Sequence, residues 1–492
     1  MSYQPNKSRP TGNRSSTTPI HIVNDDCLLV IFSFCRPVIL DEHVENDDSH
    51  ILGGGEWHRE RWWHRLIQVC RRWRYHILDS AFHLQVSLVC ARGTPVADML
   101  AHSPPAIPLI IDHFEDEYQD LTAEDERGII FALQHRDRVR RVRLLKPTPI
   151  LQKLVIALDG EFPILEFLSI WHQRYHDPVI EQIANLGLPE TFRAPHLRRL
   201  LLKNFATPIE SPQLTTMGNL ITLFLTKIPF SAYFHPNVLL QLLSLIPQLE
   251  VLWIGFNHSR DFERQLLRTS ITTRVTLPNL RWLGFNGPSA YLEAFLPWVT
   301  TPLLEMVRIY FLNRMVYSIP HLRQFMSTAG SFQVKAAAFY FDEDRLGVTA
   351  HPYLGARLHN LHMGLGGRHL DWQIVSAAQV FHALSTVFSA VEHLTLNYSR
   401  HHMSSEWNNE ADRIHWRKLL GSFSNVKNLS VRDGLVEQVA RALQPGEDES
   451  PTELLPELQE LSYFAIGTLR SAFTRFIEAR QRAGRPVNVV HL

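Results

Sequence analysis

The chain has almost no cysteine. Its 492 residues include four, Cys27, Cys35, Cys70 and Cys90, and no two of them stand as C-x-x-C. That leaves no zinc ribbon and no dithiol redox motif to read. The four are expected to be buried, reduced thiols acting as small hydrophobes. An excess of charge of one sign is also missing, since 49 Lys and Arg stand against 49 Asp and Glu. This balance argues against a surface built for nucleic acid or anionic lipid. No apolar run reaches the ~18 to 20 residues that cross a bilayer. The polar start, with Lys7, Ser8, Arg9 and Pro10, lacks the apolar stretch of a secretory signal. An intracellular setting is expected, with no membrane and no nucleic-acid partner. There is no H-E-x-x-H, no G-x-S-x-G elbow and no phosphate-cradling glycine loop. The expectation is a chain that is not an enzyme and has no cofactor, metal site or catalytic residues.

What the chain has in quantity is one short motif, clearest in Ile246-Pro247-Gln248-Leu249-Glu250-Val251-Leu252-Trp253-Ile254. Its skeleton, Pro-x-Leu-x-x-Leu-x-aliphatic, returns at Pro163-Leu165-Leu168-Ile170, Pro195-Leu197-Leu200-Leu202, Pro278-Leu280-Leu283-Phe285, Pro302-Leu304-Val307-Ile309 and Pro456-Leu458-Leu461-Tyr463. Looser copies lack the proline: Leu220-Leu223-Leu225, Val391-Leu394-Leu396 and Val426-Leu429-Val431. The central positions 168, 200, 223, 252, 283 and 307 lie roughly 23 to 32 residues apart. That is the period of stacked solenoid repeats, in which no unit buries its apolar face alone. Helix-compatible segments follow the strand motifs at 238–246, 291–299, 375–388, 416–423, 436–443 and 469–483. Upstream, 98–103 reads as a short helix, 107–112 as a strand and possible early repeat, 123–135 as a helix and 139–144 as the first clear strand.

Strand then helix at this period resembles a leucine-rich repeat, and Leu249-x-x-Leu252-x-Ile254-x-x-Asn257 matches its L-x-x-L-x-L-x-x-N. The copies are irregular, and Asn204 falls one place early for that asparagine. The resemblance implies an α/β right-handed solenoid with parallel strands lining its inner curve. Residues 330–372 are the weakest part, with Val334-Ala337-Phe339 and Leu358-Leu361-Met363 as degenerate strands and Gly364, Gly366 and Gly367 as a plain loop.

Alternation along a strand divides each copy into two jobs. If Leu168, Leu200 and their equivalents point into the core, their neighbours face the inner curve. Those neighbours are Arg141/Arg143, Phe167/Ser169, Arg199/Leu201, Thr222/Phe224, Val251/Trp253, Trp282/Gly284 and Met306/Arg308, then His393/Thr395, Asn428/Ser430 and Glu460/Ser462. The face begins basic, is aromatic in the middle and ends small and polar. Phe224, Trp253 and Trp282 form a band that either recruits a protein target or stacks on itself across the strands. Arg141, Arg143 and Arg308 are the cationic candidates on the same face.

Residues 1–19 read as a disordered tail and 20–90 as a helical module, with the solenoid spanning 91–492. Asn24-Asp25-Asp26 supply capping oxygens for a helix that places Leu28, Ile31/Phe32 and Cys35 on one face and ends before Pro37. An acidic, glycine-bearing insert at about 41–56 precedes a second helix, 57–78, in which Trp62, Leu66, Val69 and Trp73 form one stripe and Trp63, Ile67, Cys70 and Ile77 its neighbour. Val23-Asn24-Asp25-Asp26-Cys27-Leu28-Leu29-Val30-Ile31-Phe32 resembles the opening L-P-x-E-[IL]-L-x-x-I-F of an F-box. Trp63-x-x-Leu66-x-x-Val69-Cys70-Arg71-x-Trp73-Arg74 is similar to its closing W-x-x-V-C-[RK]-x-W-[RK]. The resemblance implies a module that docks on the Skp-type adaptor of a cullin–RING ubiquitin ligase, with the repeats holding a protein substrate. By position, the adaptor-facing residues would be Val23, Leu28, Leu29, Ile31, Phe32, Val69, Cys70 and Trp73, some of them serving the module's own core.

Overall fold

The computed structural model describes residues 23–36, 61–81, 83–113, 121–173, 186–206, 209–257, 270–312, 318–328, 334–342, 345–356, 359–367, 369–398, 410–445, 454–464 and 471–491. The expected tail 1–19, the acidic insert and most of the polar loops at 399–412 and 445–451 lie outside them.

The repeated motif is a turn joined to a strand. In each of the six proline-bearing copies the leucine of Pro-x-Leu donates its backbone N–H to the carbonyl of the residue before the proline: Leu165 to Phe162, Leu197 to Ala194, Leu249 to Ile246, Leu280 to Leu277, Leu304 to Thr301 and Leu458 to Leu455. Proline is thus the second residue of a β-turn, where its fixed φ is an advantage. The leucine closes the turn and is buried. Two of the proline-free copies close the same way, Leu220 onto Met217 and Val391 onto Phe388. Side-chain amides tie turns of successive repeats, with Asn219 Nδ2 donating to Pro195 O at 2.9 Å and Asn425 Nδ2 to Ser389 O at 2.7 Å.

The strands, in chain order, begin with β1 (Leu88–Cys90), β2 (Leu109–His113), β3 (Val139–Pro147), β4 (Phe167–Gln173), β5 (Arg199–Lys203) and β6 (Thr222–Ile228). Next come β7 (Val251–Phe256), β8 (Val275–Thr276), β9 (Trp282–Gly287), β10 (Val299–Thr300), β11 (Met306–Phe311) and β12 (Ala336–Phe341). The last six are β13 (Arg345–His351), β14 (Leu361–Gly366), β15 (His393–Tyr398), β16 (Asn428–Val431), β17 (Glu460–Tyr463) and β18 (Asn488–His491). Among the described residues, all but β8 and β10 join one 16-stranded sheet, and those two pair as a small parallel ribbon. β1 lies inside the span 20–90, so the sheet begins earlier in the sequence than the first motif copy.

One row of register partners crosses the whole sheet. It runs Cys90, Ile111, Val142, Leu168, Leu200, Leu223, Leu252, Leu283 and Val307, then Leu361, Ala350, Ala337, Leu394, Leu429, Leu461 and Val489. These side chains share a core with the helices between the strands, among them Pro236–Leu245, Ser289–Phe295, Leu370–Ala383 and Val436–Leu443. Each fully buried Leu or Val of such a row stabilises by about 1.5–3 kcal/mol, so the array is a continuous core drawn out along one axis. This is a mixed α/β repeat architecture consistent with a leucine-rich-repeat-like solenoid. Asn204 terminates β5 in the left-handed region, φ 57°, with its N–H on Thr226 O and its amide 2.9 Å from His172 Nδ1. Asparagine tolerates that conformation better than other non-glycine residues.

Residues 334–366 depart from the expectation. After β11 the strand order runs β14, β13, β12 and only then β15. β13 is antiparallel to both neighbours, while β12 and β14 remain parallel to the rest. β12 and β14 fall on the expected degenerate strands; β13 carries no such signal, because its Leu346, Val348 and Ala350 alternate with Gly347 and Thr349 without the motif's proline or leucine spacing. Gly364 and Gly366, read as loop, belong to β14.

The N-terminal module packs into the same core. The helix Asp25–Cys35 is capped by Asn24, whose side chain accepts from Asp26 N–H at 3.2 Å. The expected second helix is broken. Trp62–His64 and Leu66–Gln68 are 3-10 turns, Cys70 is extended (φ −160°, ψ 170°), and a regular helix runs only over Arg71–Asp79. Asp25 gathers Arg72 (Nε 3.0 Å) and His76 (Nε2 3.0 Å). The Arg72 hydrogen bond, offsetting desolvation, holds the Asp25 carboxyl below its ordinary value. Trp63 Nε1 donates to Ser87 O at 3.2 Å, fastening the module beside β1. The cysteine expectation needs correction, because Cys27 and Cys35 are exposed and Cys70 half-buried. Only Cys90 is a core thiol, pushed up to about 12 by burial.

Candidate interaction surfaces

The sheet face opposite the helices carries a second apolar cluster separate from the main core: Trp171, Leu201, Phe224, Trp253 and Trp282, with Leu145, Phe167, Val251, Met306 and Tyr310 around them. Register puts Leu201, Phe224, Trp253 and Gly284 side by side on β5, β6, β7 and β9. Phe224 and Trp253 stack at 5.2 Å with 17° between planes, and Trp253 and Trp282 follow at 5.3 Å and 34°. Gly284 makes the stack possible. A Cβ there would sit 1.9 Å from Trp253 Cε3, so the ring lies where a side chain of β9 would stand. Tyr310 lies over Gly364 in the same way, with Cδ1 2.4 Å from a Cβ position.

Phe224, Trp253 and Trp282 are therefore brought together, but they stack on one another. Each is 5% exposed or less. Three cations bound the cluster: Arg141 lies 5.1 Å from the Phe167 ring, Lys203 4.1 Å from Trp171 and Arg308 5.8 Å from Trp282. Arg143, expected on the open face, is buried against Asp112, Nη1 to Oδ2 3.3 Å, its partner in register on β2. Arg308 is buried as well, at 3% exposed, while Arg141 is half-buried. Trp171, Leu201 and Tyr310 were not picked out as part of the band. Trp171 and Tyr310 stand one alternation further along their strands, which was the available signal.

Beyond β11 the aromatics give way to histidine. Arg308 Nη2 lies 3.2 Å from His359 Nε2, and His362 is the register partner of Arg308. Rings of His359 and His362 are 5.4 Å apart, and those of His351 and His359 6.1 Å. Burial first, then Arg308 and the neighbouring imidazoles, holds His359 down at about 4 and His362 at about 3. The last strands, with His393/Thr395, Asn428/Ser430 and Glu460/Ser462, are half-buried, small and polar as expected. Glu392, before β15, accepts from Lys335 Nζ (2.7 Å) and Lys427 Nζ (2.8 Å), and those hydrogen bonds draw its carboxyl down to about 2.

The second surface is on the N-terminal module, and its residues sort differently from the expectation. Leu28 and Phe32 are 0% exposed, with Phe32 edge-on to Trp73 at 4.9 Å, so neither is available to an adaptor without unpacking the module. Val23, Leu29, Cys70 and Trp73 are half-buried. Ile31 and Val69 are exposed. They are joined by residues not singled out before: Val30, Phe34 (84% exposed) and Tyr75. Val30 and Phe34 are four apart and Ile31 and Phe34 three apart, so the three share one outward side of the first helix.

No protein-family model matches this chain, and no curated protein matches it. Among solved structures, the leucine-rich repeat-containing protein LegL7 from Legionella pneumophila is similar over 81% of this chain and 98% of its own, at 10% identity and a TM-score of 0.27. So loose a superposition ties the two proteins to no common function. No helix among the described residues is long and apolar enough to cross a membrane.

Proposed function

We propose that this chain is a non-catalytic recognition subunit of an SCF-type ubiquitin ligase. The helical module docks on a Skp-type adaptor, and the helix-free face of the sheet holds a protein substrate. The observation that carries the reading is the outward side of the first helix. Val30, Ile31 and Phe34 are exposed there while Leu28 and Phe32 of the same helix are fully buried. A monomer gains nothing by leaving a phenylalanine in water, whereas a partner groove is filled by such anchors. V-C-R-x-W-R at Val69 to Arg74 supports the same reading from the sequence. The substrate face, on this view, is the half-open polar stretch from β12 to β18 together with the cationic groups around the aromatic cluster, and not the buried rings.

One observation favours a second reading, in which the module only caps the solenoid. Leu28, Phe32, Trp63 and Ile77 belong to the same continuous core as the repeats. The two readings part in co-purification of the intact chain with its host's Skp-type adaptor. The first expects a complex that Ile31→Asp with Phe34→Asp weakens by about 100-fold or more while leaving the unfolding midpoint in place. No complex with the intact chain sinks the first reading and leaves the cap. Phe32→Asp, by contrast, is expected to unfold the module, because it places a charge in a dry core.

A further inference from the structure

The middle of the helix-free face concentrates hydrogen-bond donors and positive charge. Arg308 from β11, His359 and His362 at β14, and His351 from β13 come together where the parallel strands meet the antiparallel β13. His351 Nε2 meets Thr349 Oγ1 at 3.3 Å, but Nδ1 of His351 and Nδ1 of His362 are buried with no hydrogen-bond partner. The indole Nε1 of Trp282, whose ring lies 5.8 Å from Arg308 Cζ, is likewise buried and unpartnered. An indole N–H can only donate, and an imidazole gains a second donor on protonation. Buried polar atoms ordinarily find partners, so the unpartnered indole N–H beside Arg308 points to an absent acceptor, to which each imidazole can add a donor once protonated.

The charges acting here have one sign. Those felt by His359 are Arg308 and His351, and those felt by His362 are Arg308, His359 and Arg345, all of which disfavour a further proton. Tyr310, whose ring lies 5.2 Å from His362, adds a neutral wall. Arg308 Nη2 donates to His359 Nε2, which requires that imidazole to be neutral with its proton on Nδ1. An oxyanion at this point would accept from the donors, reverse the field and draw protons onto the imidazoles.

We propose that the Arg308–His351–His359–His362 cluster binds an oxyanion, a carboxylate or phosphate oxygen presented by a protein partner, and takes up protons as it does so. The partner clause rests on the substrate-face reading above; the anion site itself does not. Inorganic sulfate is the probe, because it stays dianionic across the range. Calorimetry of the full chain with sulfate at constant ionic strength is expected to show binding ~10-fold tighter at pH 5.5 than at pH 7.5. Proton uptake should show as a dependence of the measured heat on the buffer's ionisation enthalpy. Arg308→Gln should abolish the binding, and His359→Gln with His362→Gln, which keeps neutral polar side chains in place, should abolish its pH dependence while leaving the circular dichroism spectrum intact. No sulfate binding at either pH, equal affinity at both, or undiminished pH dependence in the double histidine variant overturns the proposal. Because no adaptor or substrate is present, failure here is separate from failure of the ligase reading.

Discussion

Trp253→Ala is expected to lower the stability of this protein by about 3 to 5 kcal/mol, the range for removing a large buried aromatic. The loss has two parts. The ring leaves stacking contacts with Phe224 and Trp282, and the space it vacates cannot collapse, because Gly284 beneath it has no side chain to move in. A specific coupling follows. Gly284→Ala alone is expected to destabilise by about 1 to 3 kcal/mol, since its methyl would lie 1.9 Å from a ring atom locked between two other aromatics. In the Trp253→Ala background the same methyl enters vacant space, and most of that cost should disappear. Urea unfolding of the four proteins of this cycle measures the coupling. If the two effects simply add, the ring does not occupy the place of the β9 side chain. A Trp253→Ala loss below about 1 kcal/mol would show the cluster to be surface decoration.

The second large expectation is instability toward acid. His359 and His362 are held at about 4 and about 3, below the ordinary imidazole value of 6.5. A group with a depressed folded value contributes stability that is fully present above the unfolded value and is lost as pH falls toward the folded one. Here the unfolded chain binds the extra protons between about pH 6.5 and 4, so stability falls with decreasing pH by up to about 1.4 kcal/mol per unit for each histidine. Glu392, drawn down to about 2 by Lys335 and Lys427, acts in the same sense at lower pH, between its ordinary 4.5 and 2. The unfolding midpoint measured from pH 7 to 4.5 should therefore drop steeply, and His359→Gln with His362→Gln should flatten the curve above pH 5. An unchanged slope in that double variant would show that other groups carry the proton uptake. Added sulfate should also flatten the slope in the parent chain, because an anion at the cluster lessens the penalty on protonation.

Much of this architecture was legible without coordinates. Pro-x-Leu-x-x-Leu predicts a turn and a strand because proline presets the turn's second residue and the leucines keep to one face. Each copy from Leu165 to Leu458 closes on that turn. Asn24 capped the first helix as its side chain suggested. The helix that broke at Cys70 and the strand at Arg345–His351 were not legible for opposite reasons. The first has helical spacing throughout, yet its arginine-rich stretch must bend for Trp63 to reach Ser87 O and Ile77 the core. The second has only alternation, over a span too poor in leucine and proline to stand out. Its direction depends on a neighbour, β14, that comes later in the chain.

For the candidate surfaces the division is clearer still. Period and alternation by themselves determined that the chain is an α/β repeat array and, within the motif copies, which residues build the core row and which are left for the opposite face, because those properties follow from local turn chemistry and the two-residue pleat. Only the tertiary structure decided exposure. Strands about 4.8 Å apart bring Trp253 over Gly284 and Arg308 against His359, closing residues that alternation alone would leave open. Packing of the N-terminal helix on Trp73 buries Phe32 and turns Phe34 outward. Burial is a property of the neighbours a side chain meets across the sheet, and those neighbours are tens of residues away in the chain.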